Sequence, residues 1–271
     1  VPCHSATHMD AFQALLLGIV QGITEWLPIS SSGHLAITQE LLGMDASENL
    51  VFDLAVHMGT LLAVCAFFRK ELGRIVLAML RLGDKGEEAK GLRTLGGLIL
   101  LGTIPVAIVG FTLSDRAEDL FSLPLVGAAL LVNAAILLTA ERMAKPQQRK
   151  TVHVKDAIIA GALQAVSIIP GISRSGSTIS GGMFSGLEKE AAATFAFLLS
   201  VPALLGAFSY GLLTLDRYDV EMSTLVLGAA AAFVTGFVSI GYLLKAVRAR
   251  KLWVFSAYCA VVGTAVLALT L

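Results

Sequence analysis

GITEWLPISSSGH, residues 22–34, decides how the chain is built. It interrupts an otherwise apolar stretch, 11–42, with a proline, a glycine and three consecutive serines, so the stretch reads as two half-helices joined by a turn. A second apolar stretch, 157–186, is broken in the same way by PGISRSGSTISGG, residues 170–182. Neither half of either pair can cross a bilayer, whose hydrocarbon core takes about 20 residues of helix. Non-helical backbone at membrane depth survives only where protein or a water-filled cavity covers its polar groups, so each pair reads as a re-entrant hairpin lining a site.

That reading needs a membrane, and the composition agrees. Of 271 residues, 56% are hydrophobic and 15% charged, which excludes a large soluble fold. Six further runs are long enough to span as helices: 50–68, 94–113, 123–141, 191–213, 222–245 and 252–271. The expected fold is all-α and integral to the membrane, with six transmembrane helices plus two re-entrant helical hairpins. The net charge is zero and the twenty basic residues are dispersed over a few loops, so no nucleic-acid partner is expected. Cys65 and Cys259 lie inside apolar runs and Cys3 in a polar prefix, which suggests inert thiols rather than a disulfide framework or metal cluster. The prefix VPCHSATH, residues 1–8, reads as an expression scar and is set aside, leaving one membrane domain over 9–271.

Lysine and arginine set the orientation, because basic loops are retained in the cytoplasm. Residues 69–93 carry seven, 142–155 five and 245–251 four. The other connections are mainly acidic, with Asp45, Glu48, Asp115, Glu118, Asp119, Asp216, Asp219 and Glu221 against Arg116 and Arg217. Both termini then fall outside, the first hairpin is entered from the outer face and the second from the cytoplasm. Sliding the chain on itself by 161 − 18 = 143 positions aligns Gly18 with Gly161, Gln21 with Gln164, Ser30 with Ser173, Ser32 with Ser175, Gly33 with Gly176 and Gly43 with Gly186. Repeat one, about 11–141, and repeat two, about 156–271, each hold one hairpin and three spans, so an inverted-topology repeat with a site near the midplane is expected.

The hairpins carry the chemistry. Gln21 and Glu25, four residues apart, share a helix face. Ser30, Ser31, Ser32 and Gly33 offer hydroxyls and backbone N–H groups at the start of the next half-helix, where an anion is favoured, and His34 follows. The second turn repeats this as Ser173, Ser175, Gly176, Ser177 and Thr178 and adds Arg174. An arginine at membrane depth costs on the order of 2.5 to 3.5 kcal/mol and needs a partner. Phosphate fits its planar fork, and an internal ion pair with Glu25 ranks below that.

Cleavage of a phosphoanhydride needs a nucleophile, a proton acceptor and positive charge on the transferring group. Ser31 or a water would attack, His34 would take or donate the proton, and Arg174 would stabilise the phosphoryl oxygens. The sequence prefers Ser31 only slightly over Ser30 and Ser32. Glu25, with Gln21 as a neutral oxygen ligand, could hold a divalent cation, Mg²⁺ or Ca²⁺, bridging a diphosphate, and a bare carboxylate base is the rival role. Asp53 and His57, also four apart, read equally as cavity-lining groups and as hydrogen-bonding partners between helices. Asn133, sitting singly in an apolar span, is assigned no function. Trp26 packs or touches a prenyl tail.

On GITEWLPISSSGH, PGISRSGSTISGG and FDLAVHMGTLLAV (residues 52–64), the chain resembles the undecaprenyl diphosphate phosphatase family of the bacitracin-resistance type over nearly its whole length after the prefix. The resemblance implies a cell-membrane enzyme of cell-wall synthesis that hydrolyses undecaprenyl diphosphate to the monophosphate, uses a divalent cation and opens its site outward. It also implies that the family's glutamate, serine and histidine fall on Glu25, Ser31 and His34, and its second-motif arginine on Arg174. The departure is Gln21, where many members have a second glutamate; Asp53 is the carboxylate that could substitute. The expected partners are a polyprenyl diphosphate lipid and the bilayer, with a homodimer as an option. The rival from another class is a transporter or flippase for the polyprenyl phosphate lipid, since inverted repeats and broken helices also build carriers.

Overall fold

The computed structural model describes residues 9–44, 49–81, 83, 85–113, 122–144, 149–214 and 221–270. The prefix and most of the acidic connections, including Asp45, Glu48, Asp115, Asp119, Asp216 and Asp219, lie outside the described residues. Eleven helices are described: α1 (Ala11–Trp26), α2 (Ser31–Leu41), α3 (Leu50–Phe67), α4 (Arg69–Leu80), α5 (Glu87–Leu113), α6 (Leu123–Met143), α7 (Val154–Val166), α8 (Arg174–Phe184), α9 (Lys189–Thr214), α10 (Met222–Arg248) and α11 (Leu252–Thr270). Six of them, α3, α5, α6, α9, α10 and α11, are long and apolar enough to cross a membrane. Their outward faces carry large apolar side chains such as Phe111, Val261 and Leu269, as a lipid-facing surface requires.

The two broken segments are broken for the reasons the sequence states. Leu27 precedes Pro28 and is extended (φ −71°, ψ 144°), which ends α1. At 1.5 Å per residue, the 16 residues of α1 rise about 24 Å and the 11 of α2 about 17 Å. In the second pair the chain turns through Pro170 and Gly171. Gly171 has φ 99°, and a Cβ there would lie 2.6 Å from Val126 O, so only glycine fits.

The 143-residue offset recurs in the structure. Ala11 and Val154 open their helices, Ser31 and Arg174 open the second halves, and Leu41 and Phe184 close them. The N-cap N–H groups of Asp10 and His153 donate to the side chains three residues on, Gln13 and Asp156. Ser30 and Ser173 each accept the N–H of the glycine three residues on. Gly18 and Gly161 also match in packing: a Cβ at Gly18 would lie 2.4 Å from Gly228 O of α10, and one at Gly161 would lie 2.4 Å from Gly102 O of α5. Small residues thus let α1 and α7 approach α10 and α5 backbone to backbone, the usual solution where lipid supplies no hydrophobic drive between helices.

Two features differ from expectation. The spans run longer than their apolar cores, with α5 starting at Glu87 rather than at 94. Residues 69–80, read as basic loop, form α4: Ile75 and Ala78 are buried, and Ile75 and Met79 pack against Gly96 of α5 while the charges stay exposed. An ion pair between Arg74 and Glu88 adds a tie between α4 and α5.

The start of α7 is held by an ion pair between the partly exposed Arg149 and the buried Asp156. Arg149 donates two hydrogen bonds to the wholly buried Asp156, at 2.8 and 3.0 Å, and a third to Ser185 O. Burial pushes the Asp156 carboxyl up, but the hydrogen bonds from Arg149 and its neighbours outweigh it and hold the carboxyl below the usual aspartate range. A depressed folded-state pKa contributes stability that is present above the unfolded value and lost as pH falls through the folded one. Asp156→Asn is therefore expected to cost about 1–2 kcal/mol at neutral pH and to remove part of the acid sensitivity below about pH 4, read from melting in detergent.

Candidate active site

The break between α1 and α2 meets the break between α7 and α8, and the two turns are bonded to each other. Gly171 N–H donates to Ser30 Oγ at 3.2 Å, and Ser175 Oγ–H donates to Leu27 O at 3.1 Å. Asn133, wholly buried in α6, ties both. Its Nδ2 donates to Pro28 O at 2.9 Å and its Oδ1 accepts from Ser173 N–H at 3.2 Å. Its Nδ2 also lies 3.3 Å from Cys259 Sγ on α11. An isolated amide in an apolar span, given no function from sequence, is thus the clamp between the turns. Its partners are 105 and 40 residues away, so no local pattern marks it.

This clamp holds Ser30 in an unusual backbone state, φ 72° and ψ 101°, which a non-glycine residue keeps only when its surroundings over-determine it. Ser30 Oγ accepts from Gly33 N–H and Gly171 N–H and lies 3.3 Å from Ser32 Oγ. Ser173 and Ser175 are 3.0 Å apart, Gly176 N–H is capped by Ser173, and the Thr178 hydroxyl returns to Arg174 O. Most of the hydroxyls and N–H groups read as phosphate donors are therefore engaged in building the turns. Ser177 Oγ is buried and has no hydrogen-bond partner.

Ser31 is different. Its hydroxyl donates to Glu25 Oε2 at 2.5 Å, and Gln21 Nε2 donates to the same oxygen at 3.0 Å. Glu25 has a side chain only 4% exposed, and two basic side chains flank it: His57 Nε2 at 3.7 Å from Oε2 and Arg174 Nη1 at 3.8 Å from Oε1. The Arg174–Glu25 pair that sequence ranked below phosphate is thus present, but beyond hydrogen-bonding distance. Arg174 Nη1 is buried and makes no hydrogen bond. Chemically, the arrangement offers a hydroxyl already bonded to a carboxylate, beside a guanidinium with unused donors.

The structure gathers Gln21, Glu25, Ser31, His57 and Arg174 but turns His34 elsewhere. His34 Nδ1 bonds Ser30 O at 2.7 Å, which makes Nδ1 the donor and leaves Nε2 to accept from the Tyr258 hydroxyl at 2.8 Å. The two rings stack, 13° from parallel with centroids 5.6 Å apart. The imidazole beside the carboxylate is instead His57, whose Nδ1–H is fixed by Asp53 O at 2.7 Å, while the Asp53 carboxylate accepts from Gln39. Trp26 packs edge-on against Phe197, with ring centroids 5.5 Å apart.

A divalent cation was expected at Glu25 and Gln21. Gln21 presents Nε2 to Glu25, while its Oε1 is buried without a hydrogen-bond partner and is an oxygen of the kind a hard cation takes. No group of three or more His, Cys, Asp or Glu side chains that could hold a metal occurs among the described residues, so phosphate oxygens would have to complete the coordination.

The model of the family described as bacitracin resistance protein BacA matches residues 14–265. An undecaprenyl-diphosphatase of Korarchaeum cryptofilum is 40% identical over 268 residues, covering 96% of this chain and all of the relative. One of Syntrophotalea carbinolica is 41% identical, covering 94% of this chain and 97% of the relative. One of Methanobrevibacter smithii is 39% identical, covering 94% and 96%. With the family model matched almost end to end and relatives this similar at full length, the chain belongs to the bacitracin resistance protein BacA family.

Proposed function

We propose that this protein hydrolyses a polyprenyl diphosphate, undecaprenyl diphosphate in the first place, to the monophosphate and orthophosphate, recycling the lipid carrier of cell-wall synthesis and conferring bacitracin resistance. The observation that carries the reading is Ser31, bonded to buried Glu25 across from the donors of Arg174. Ser31 Oγ attacks the terminal phosphorus as its proton passes to Glu25. The bond to the bridging oxygen breaks with its electron pair on the lipid monophosphate, which takes the proton from Glu25 and frees the carboxylate for the water step. Arg174 stabilises the equatorial oxygens. Water then hydrolyses the phosphoserine. Glu25 and Gln21 would hold a Mg²⁺ or Ca²⁺ ion, which neutralises diphosphate charge when bound. His34, bonded to Tyr258, orients the turn through Ser30 O. Asp53 and His57 line the cavity next to the carboxylate.

The 390 Å³ apolar cavity reaching Arg174 between α5 and α9 suits the prenyl chain. The broken pairs α1–α2 and α7–α8 are read as re-entrant hairpins of an inverted repeat, supported by the shared 143-residue register; the loop charges favour both termini on the outer side, and the family resemblance favours a site that opens there. Rapid acid quench with substrate labelled in its terminal phosphate tests the chemistry: label is expected on Ser31 of the parent and on no residue of Ser31→Ala. Turnover of the parent without labelled protein, with Ser31→Ala equally fast, would overturn the serine's role.

A further inference from the structure

Arg174 stands between two largely apolar cavities, on either side of α9, and only the smaller also presents Asp53 and His57. The larger, between α5 and α9, is walled by Val106, Gly110, Ile168, Ala203 and Gly206. Thr103 also lines it but returns its hydroxyl to Ile99 O. The smaller, about 210 Å³, lies between α3 and α9 and is lined by Asp53 and His57 together with Arg174. Leu50, the first residue of α3 and itself exposed, also borders it, so this cavity begins at the aqueous end of the helix. It ends at the reacting groups, because the His57 ring that lines it lies 3.7 Å from the Glu25 oxygen holding Ser31.

A prenyl chain filling the larger cavity expels water from it, yet hydrolysis consumes one water per turnover. A cavity that sets Asp53, His57 and Arg174 among otherwise apolar walls, reaching the same carboxylate from the other side of α9, has the volume for several waters and the polar partners to hold one, and meets that need. We propose that the cavity lined by Asp53, His57 and Arg174 is the binding site and route for the second nucleophile, a water, separate from the cavity that holds the lipid. The inference rests on the hydrolase reading above. In the step it serves, the water oxygen bonds to phosphorus as the P–Oγ bond breaks. The electron pair stays on Ser31 Oγ, which receives the water proton by way of Glu25, and orthophosphate leaves. A small alcohol in the same place gives an alkyl phosphate with the same balance.

Leu54 lines only the smaller cavity of the two, and Gly206 only the larger, where a side chain would meet open space. The purified protein is given polyprenyl diphosphate in detergent with 1-propanol, and propyl phosphate and orthophosphate are measured together. Leu54→Ala should raise their ratio about tenfold and Leu54→Trp lower it about tenfold, in line with what a few methylenes are worth in a pocket. Gly206→Leu should raise KM for the lipid and leave the ratio unchanged. Because both products come from the same enzyme molecules, loss of folded protein does not move the ratio. A ratio indifferent to residue 54, a ratio that follows residue 206 instead, or orthophosphate without propyl phosphate even from Leu54→Ala overturns the separate route while hydrolysis stands. A parent protein that makes neither product overturns the hydrolase reading and this inference with it.

Discussion

Arg174→Ala is expected to lower phosphate release by about 10³-fold, the upper end of what removing one preorganised charge from a transition state costs. Two effects act together. The guanidinium donors that face the phosphoryl oxygens are lost, and the buried Glu25 carboxylate loses one of the two basic side chains beside it. Arg174→Lys keeps the charge but not the planar fork, and should recover only about tenfold of the loss. The measurement is kcat on folded variants, with melting in detergent as the control for structure. An alanine variant within tenfold of the parent would remove Arg174 from the mechanism.

Asn133→Leu should have the second largest effect, at a residue that touches no substrate. Leucine nearly conserves volume but leaves Pro28 O and Ser173 N–H buried without the amide. An unsatisfied buried group costs about 1–3 kcal/mol, so the pair predicts a loss of about 4 kcal/mol. The two turns are also freed to slide, and a displacement of about 1 Å at the reacting groups costs on the order of 10²-fold in rate. Both losses are expected together, the first read from denaturation in detergent and the second from phosphate release. A variant that melts and turns over like the parent would mean that the turns are held by Gly171 and Ser175 alone.

The helix breaks and spans were legible because their causes are local. Pro28, Pro170 and Gly171 act on neighbouring backbone, and runs of apolar residues declare a span without any partner. Glu25, Ser31 and Arg174 stand out in the sequence because polar residues at membrane depth need a reason to be there, and the structure brings the three together. What stayed hidden depends on contacts distant in the chain. Helix α4 was masked by its own basic residues, since few of its side chains, Ile75, Ala78 and Met79 among them, are apolar groups turned to the core. Asn133 looks like any lone amide until the two turns are folded against it. The surroundings of the two histidines were hidden for a related reason: His34 adjoins the serines in sequence, but α2 directs that ring to Tyr258 on α11, while α3 carries His57 to Glu25. The choice among the three serines was likewise conformational, since Ser30 caps the helix, Ser32 bonds Ser30 and only Ser31 reaches the carboxylate.

The most direct test of the account is orthophosphate release from undecaprenyl diphosphate by the purified protein in detergent, with divalent cation and again with chelator. The account predicts release with cation present, a large drop with chelator that added Mg²⁺ or Ca²⁺ reverses, and loss in Glu25→Gln. A folded protein that binds the lipid, and moves the monophosphate across vesicles, without releasing phosphate under any of these conditions would contradict it and favour a carrier.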